Sequence, residues 1–379
     1  MAEGTAVENL SFPDRILIGS ARTQEGLDAA AALKRIYAAW VPDENIVTVN
    51  TFSSELSKLV ANAMLAQRIS SINAVSAICE EVGLGADVAD VSLAVGRDTR
   101  LGSKFLGAGV GFGGSCFDKD ILNLAYLARE LHLDVVADFW LSILRINEYQ
   151  RQRFAHSIVR ELNGSLRGKK IAVLGFAFKD GTNDTRNSIA VHIIKALADE
   201  MPREIKIFDP GCAAANILEE VRKIRLSQSH LGRIKICESW RDCVRDASAI
   251  CVLTQWGHFR GGAVTTDPKP VRFCRVPTER CCIEGHTEYH IMALEEKAAQ
   301  HMPYSDDPFG RLKPLPLCAE DDSQMSGDPR DHTRDDSAVD WAEVADMMQE
   351  PRWVFDGRNV VDVEELKRLG FRVRGIGKG

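Results

Sequence analysis

Residues Gly109 to Asp120 read G-V-G-F-G-G-S-C-F-D-K-D, and the rest of the chain is placed relative to the cysteine in this stretch. Four glycines within six residues let the backbone turn tightly and approach a ligand closely. Then Ile121, Leu122, Leu124, Ala125, Leu127, Ala128 and Leu131 recur at helical spacing, which predicts a helix of about three to four turns. Ser115 is the expected N-cap, with Asp118 three residues on as an aspartate version of the capping box. Cys116 then falls in the first turn, where unpaired N–H groups and the positive end of the helix dipole favour a thiolate. Asp120 lies one turn further on the same face, and Lys119 adds a positive charge. A thiol, a possible base and a ring of backbone donors this close together form a constellation suited to nucleophilic catalysis.

Two plainer readings compete. Gly109, Gly111 and Gly114 also satisfy G-x-G-x-x-G, but a dinucleotide fingerprint needs a hydrophobic strand before it and an acidic residue ending a second strand about 20 residues later. D-T-R-L-G-S-K-F-L-G-A is no such strand, and Glu130 falls inside the helix. The other is a buried structural thiol, since free cysteine is among the most buried residue types.

The chain has 379 residues, enough for two or three domains. With 27% charged and 45% hydrophobic residues, its composition is that of a soluble globular protein. A net charge of −7 argues against a general nucleic-acid binder and requires local Lys and Arg for any anionic ligand. Ten cysteines without a disulfide-framework spacing, and no signal peptide before them, fit a reducing, cytoplasmic setting. No apolar run approaches the roughly 20 residues that span a membrane.

Working outward, R-I-L-I-G (Arg15 to Gly19) reads as a strand, Gly26 to Trp40 as a helix and Asn45 to Asn50 as a second strand. One such unit cannot cover both faces of a parallel sheet, so residues 1–50 are expected to be the end of a larger domain whose beginning is missing. A long helix follows from Ser53 to about Val82, capped by Ser53 or Thr51, with Lys58 and Asn62 as a polar i,i+4 pair on a largely apolar rod. That pair is either solvated or aimed into an active site. A short helix, Ala86 to Ala94, precedes the glycine loop, and another, Asp138 to about Glu161, follows the Cys116 helix. Residues 51–160 therefore read as all-helical.

From Lys169 the pattern becomes α/β: a buried strand, the charged loop F-A-F-K-D-G-T-N-D-T-R, a helix from Ser188 to Asp199, and a strand ending at Asp209. This is a βαβ unit with a glycine after its first strand but no full fingerprint. Ala247 to Thr254 is a third strand. From about 258 to 337 periodicity is lost, and this stretch reads as a largely disordered insertion. Its Cys274, Cys281, Cys282, His286 and His290 could bind zinc, although adjacent cysteines are not the usual spacing. Order returns with V-D-W-A-E-V-A-D-M-M as a helix, R-W-V-F-D-G-R-N as a strand and turn, a final helix and a last strand. Arg358 would project at a strand's carboxyl end, where α/β folds bind ligands.

Together A-E-G-T-A (2–6), S-S-E-L-S-K-L-V-A-N-A (53–63), F-L-G-A-G-V-G-F-G-G-S-C-F-D-K-D (105–120), G-F-A-F-K-D-G-T-N-D-T-R (175–186) and F-D-G-R-N (355–359) resemble the UDP-glucose dehydrogenases of the UDP-glucose/GDP-mannose dehydrogenase family. The resemblance covers residues 2–256 and 338–379. It implies an α/β fold in three parts: a remnant of a Rossmann NAD-binding domain (1–50), a helical central and dimerisation domain with a long spine helix (51–160), and a Rossmann-like UDP-sugar-binding domain (165–379). The family's complete glycine fingerprint, its catalytic Thr and a second Glu would lie before Met1.

The implied activity is the NAD-dependent four-electron oxidation of UDP-glucose to UDP-glucuronate, in a homo-oligomer. Cys116 would trap the C6 aldehyde as a thiohemiacetal, and a thioester would then be cleaved by water. Lys58 would stabilise the oxyanion with help from Asn62, and Asp120 would position or activate water. Phe105, Gly107, Gly111, Phe112 and Gly113 would cradle the substrate; Phe178, Lys179 and Arg358 would bind its UDP part; Arg100 would reach a neighbouring subunit's substrate. Glu3 would lie by substrate and NAD, with Cys116 and Arg186 also by NAD. Some relatives carry Lys where this chain has Gly107. Two further readings are a non-catalytic UDP-sugar-binding or oligomerisation chain, and the same chemistry on GDP-mannose or a UDP-N-acetyl sugar.

Overall fold

After a short helix α1 (Ala6–Ser11), strands β1 (Ile16–Ser20) and β2 (Ile46–Asn50) pair in parallel, Ile16 opposite Ile46, around helix α2 (Gln24–Tyr37). This computed structural model describes residues 6–224, 226–260 and 337–379, all within one compact unit. Thr23 caps α2 by accepting from Gly26 N at 3.2 Å, and Ile18, Ala30, Val41 and Ile46 form the small core beneath.

Helix α3 (Thr51–Val82, 32 residues) leaves β2 without a loop and runs about 48 Å at 1.5 Å per residue. Its cap is Asn50, whose side chain accepts from Ser53 N at 2.8 Å, rather than Ser53 or Thr51. The acceptor has to sit just outside the helix, because the first-turn N–H groups point backward along it. The helix ends at Gly83, φ 65°. Apart from Ile72, its buried residues are small or polar, Ala63, Ala66, Ser70, Asn73, Ser76 and Cys79, which lets neighbouring helices pack close. Helix α4 (Val88–Gly96) starts later than expected because Asp87 caps it. Helices α5 (Phe117–Glu130) and α6 (Asp134–Glu161) pack on α3 around Phe112, Ile121, Leu124 and Ile143.

The second sheet is built from β3 (Lys170–Leu174), β4 (Glu204–Phe208), β5 (Ile234–Ile236), β6 (Ala249–Val252), β7 (Trp353–Asp356) and β8 (Arg372–Gly375). All pairings are parallel, in the order β5-β4-β3-β6-β7-β8. Counted from β3 this is 3-2-1-4-5-6, the order of a doubly wound nucleotide-binding sheet. Alternation along β3 explains the two-sided burial. Ile171 and Val173 enter one core with α6, α7 (Ile189–Asp199) and α8 (Ala214–Lys223). Ala172 and Leu174 enter the other, with α10 (Trp240–Val244), α11 (Trp341–Met347) and α12 (Val363–Arg368), while α9 (Gln228–Leu231) precedes β5. Helix α6 places Phe154 and Ile158 in the first of these cores, which ties the helical region to the sheet.

Candidate active site

Cys116 occupies the N-cap position of α5 itself, with φ −93° and ψ −46°, and is exposed. This corrects the expected capping: α5 has no side-chain cap, and Ser115 Oγ instead lies 3.9 Å from Cys116 Sγ. Asp118 does not reach back to Ser115; it accepts from Asn187 Nδ2 at 3.2 Å. The glycine-rich turn already bends the chain at this point, so no hydroxyl is placed over the first-turn N–H groups.

One turn into α5, Asp120 is 2% exposed, and its backbone N–H donates to Cys116 O at 3.2 Å. Its Oδ2 accepts from Lys58 Nζ and, at 2.6 Å, from Asn62 Nδ2. Lys58 and Asn62 are thus neither a solvated pair nor independent, since both converge from α3 on one buried carboxylate. Lys58 is 57% exposed along its side chain, so its ammonium faces both the carboxylate and the open side.

The opposite wall comes from the sheet. Arg358, after β7, donates from Nε to Leu253 O at 2.9 Å and from Nη1 to Gly111 O at 2.9 Å, binding the end of β6 to the glycine loop. Burial lowers its guanidinium to about 10, against the pull of Asp356 and Asp180, so it stays charged at neutral pH. Burial pushes the Asp356 carboxyl upward, opposed by backbone N–H groups of residues 358–361. Phe178 lies on the glycine loop: a Cβ on Gly114 (φ 87°) would sit 3.3 Å from its ring. Lys179 Nζ is 5.6 Å from that ring's centre.

At the switch point between β3 and β6 the βαβ unit departs from a dinucleotide cradle. Asp209, at the end of β4 and fully buried, accepts from Phe176 N (2.6 Å), Ala177 N (2.9 Å) and Trp256 Nε1 (3.0 Å) through Oδ2. Its Oδ1 accepts from Gly211 N and Cys212 N. The N–H groups that would meet a pyrophosphate are therefore consumed by the protein's own carboxylate. The turn from β1 into α2 has no glycine fingerprint either. Neither of these two turns offers a cradle for the diphosphate of NAD. Asp209 was visible in the sequence only as the end of a strand, and its partners 32, 33 and 47 residues away were not.

The remaining expected residues divide. Arg100 pairs with Asp98 at 2.6 Å on the surface, and Phe105 is exposed with φ 64°. Gly107 faces open space: among the described residues, a Cβ there would meet nothing within 4 Å. Phe112 is buried against Phe117, and a Cβ on Gly113 would meet Asn187 O at 2.7 Å. Arg186 pairs with Asp184 at 2.9 Å beside an open polar cleft of about 320 Å³ that includes Asn183, Asn216 and Lys223. Glu3, the cysteine and histidine set between Cys274 and His290, and nearly all of the 258–337 stretch lie outside the described residues. Among the described residues no helix is long and apolar enough to cross a membrane.

The same segments carry the similarity to known proteins. A family model for the central domain of the UDP-glucose/GDP-mannose dehydrogenases matches residues 52–149, and one for their UDP binding domain matches residues 172–272. The UDP-glucose 6-dehydrogenase of Caenorhabditis elegans is 51% identical over 259 residues, 68% of this chain and 53% of that protein. UDP-glucose 6-dehydrogenase 2 of Oryza sativa subsp. japonica is 37% identical over 100% of this chain and 64% of its own length. The structure of a UDP-glucose dehydrogenase from Pyrobaculum islandicum superposes with a TM-score of 0.59 at 32% identity, over 69% of this chain and 56% of that one. The chain spans between about half and two thirds of the length of these relatives. With the Cys116 loop in one matched domain and strands β4 to β6 with most of β3 in the other, the chain belongs to the UDP-glucose/GDP-mannose dehydrogenase family.

Proposed function

We propose that this chain serves the NAD-dependent oxidation of UDP-glucose to UDP-glucuronate and supplies its nucleophile, oxyanion contact and water-activating group. The observation that carries this reading is the convergence of Lys58 and Asn62 on Asp120, one helical turn from the exposed Cys116. Cys116 Sγ adds to the C6 aldehyde carbon; the carbonyl oxygen takes the electron pair and is stabilised by the Lys58 ammonium. Asn62 and Asp120 hold that ammonium in place. In the final step water attacks the thioester carbon, the C–S bond breaks with its electrons returning to sulfur, and Asp120 takes the proton. NAD, when bound, supplies the hydride acceptor; the chemistry assigned to the described residues stops short of it.

Gly107, Gly111 and Gly113 line the approach to Cys116, with Phe178, Lys179 and Arg358 on the UDP side, and Arg100 reaches a second copy's substrate. Glu3 and Arg186 go with NAD. The three-part division at 1–50, 51–160 and 165–379 goes with this reading, as does a cytoplasmic setting, which ten cysteines without a disulfide-framework spacing suit. Leu122, Tyr126, Leu131, Val135 and Phe139 on and between α5 and α6 are exposed. Such a patch suits a homo-oligomer contact. One alternative is a UDP-sugar-binding or oligomerisation chain without oxidation of its own.

NADH formation from UDP-glucose and excess NAD⁺, followed by absorbance beside a Cys116→Ala control, separates these. The expected result is NADH formation that the control loses. Steady NADH production by Cys116→Ala would sink the thiol mechanism. No turnover with UDP-glucose binding intact by calorimetry would leave the binding-chain reading.

A further inference from the structure

The glycine loop carrying Cys116 is held by side-chain carboxamides, each acting as a neighbouring peptide would. Asn147 on α6, fully buried, accepts from Phe112 N at 2.9 Å and donates to Phe112 O at 3.0 Å. Asn187 closes a similar ring on Gly114: its backbone carbonyl accepts from Gly114 N at 2.9 Å, and its Nδ2 donates to Gly114 O at 3.0 Å. At Gly109 the work is shared: Asn73 Oδ1 accepts from the N–H at 2.9 Å and Gln150 Nε2 donates to the carbonyl at 2.7 Å. Three loop residues are thus each paired at both backbone groups. At neutral pH the carboxamide is the side chain that matches a peptide in offering a neutral N–H donor and a carbonyl acceptor side by side.

This matters because a glycine-rich segment has the most conformational freedom to lose. From Val110 to Gly114 the paired N–H groups fall on Val110, Phe112 and Gly114. Among the described residues, the N–H groups of Gly111 and Gly113 are left without a partner. We infer that Asn147 and Asn187, with Asn73 and Gln150, are positioning residues that hold the nucleophile loop in one conformation, so that the Gly111 and Gly113 donors and Cys116 face the ligand together. The effect on UDP-glucose rests on the function proposed above; the clamp itself does not.

Asn147→Asp tests it, since an ionised carboxylate accepts from Phe112 N but cannot donate to Phe112 O, whereas the protonated acid can do both. Relative to the unaltered chain at each pH, the variant is expected to bind UDP-glucose about tenfold more weakly at pH 8 and within about threefold at pH 5.5. An affinity ratio that is the same at both pH values overturns the proposal. Asn187→Gly is the second variant, because glycine keeps the left-handed backbone of this residue (φ 52°) and removes only the side-chain donor. It is expected to weaken UDP-glucose binding at least about threefold without lowering the unfolding midpoint; unchanged affinity overturns the proposal. If the unaltered chain does not bind UDP-glucose, the function reading fails instead. Hydrogen exchange then decides the clamp: the Phe112 amide, whose acceptor is Asn147 Oδ1, should exchange about tenfold faster in Asn147→Ala than in the unaltered chain, and equal protection overturns it.

Discussion

Asp209 shows how much one buried carboxylate decides. It holds Phe176 N, Ala177 N, Gly211 N, Cys212 N and the Trp256 indole at once, closing a loop that in a dinucleotide site would stay open for phosphate. Gly175 makes the approach possible: with φ 96°, a Cβ there would lie 2.6 Å from Thr254 Cβ. Asp209→Asn keeps the shape but turns one acceptor into a donor, leaving two N–H groups facing an NH₂. The expected cost is about 3 kcal/mol of unfolding free energy in urea; on the function proposed above, UDP binding weakens as well, because Phe178 and Lys179 follow this loop. An unchanged unfolding midpoint would mean that other acceptors take these donors.

At the scale of elements, α7 and α6 meet the start of α5 in a charged cluster behind the nucleophile loop. His192 on α7 is held below its ordinary value mainly by burial and then by the Arg151 charge; Glu148 and Asp118 oppose this, and Lys195 adds to it. Burial likewise lowers Arg151, which Glu148 and Asp118 counter. The sign for His192 follows directly. Below the ordinary histidine value of about 6.5 the unfolded chain takes up a proton that the folded chain resists. Its contribution is therefore fully favourable above that pH and is lost as the pH falls toward the depressed folded value. Unfolding free energy measured from pH 7.5 to 5.5 should decline on acidification, and His192→Gln should flatten the decline. Parallel curves for the two proteins would exclude His192 as its source.

Across the whole molecule, Glu80 near the end of α3 joins three distant segments. Its Oε2 lies 2.6 Å from Arg153 Nη1 on α6, and its Oε1 accepts from Gly377 N at 2.6 Å. Arg374 approaches the same carboxylate at 3.7 Å and bonds Glu161 at 2.9 Å. The chain end is seated further by Lys378 on Asp87 at 2.7 Å and by Gly379 N on Ala86 O at 2.9 Å. Both side chains of the Glu80–Arg153 pair are nearly buried, at 10% and 13% exposure, so removing one partner strands the other. Glu80→Ala should lower unfolding free energy by about 3 kcal/mol, and Glu80→Gln, which keeps an acceptor for Gly377, by less. Equal stability of all three proteins in urea would show that this network contributes nothing net.

Local pattern was enough for much of this protein. The apolar run from Ile171 to Leu174, the helical spacing after Cys116 and the long apolar rod expected from Ser53 all became the elements they predicted, because burial imposes its period on the sequence. The motifs carrying the family resemblance were legible for a similar reason: close backbone approach requires glycine, and thiol chemistry requires cysteine. Caps were less legible, as Asn50 and the uncapped α5 show, because several neighbouring polar residues compete for the same N–H groups and geometry chooses among them. Strand β5, three residues at a sheet edge, is too short to show a period. What only tertiary structure decided was pairing over distance. Lys58 meets Asp120 across 62 residues, Asn147 meets Phe112 across 35, and Arg358 reaches Gly111 across 247. A polar side chain has no period that reveals its partner, so the partner exists only once the hydrophobic cores have brought the segments together.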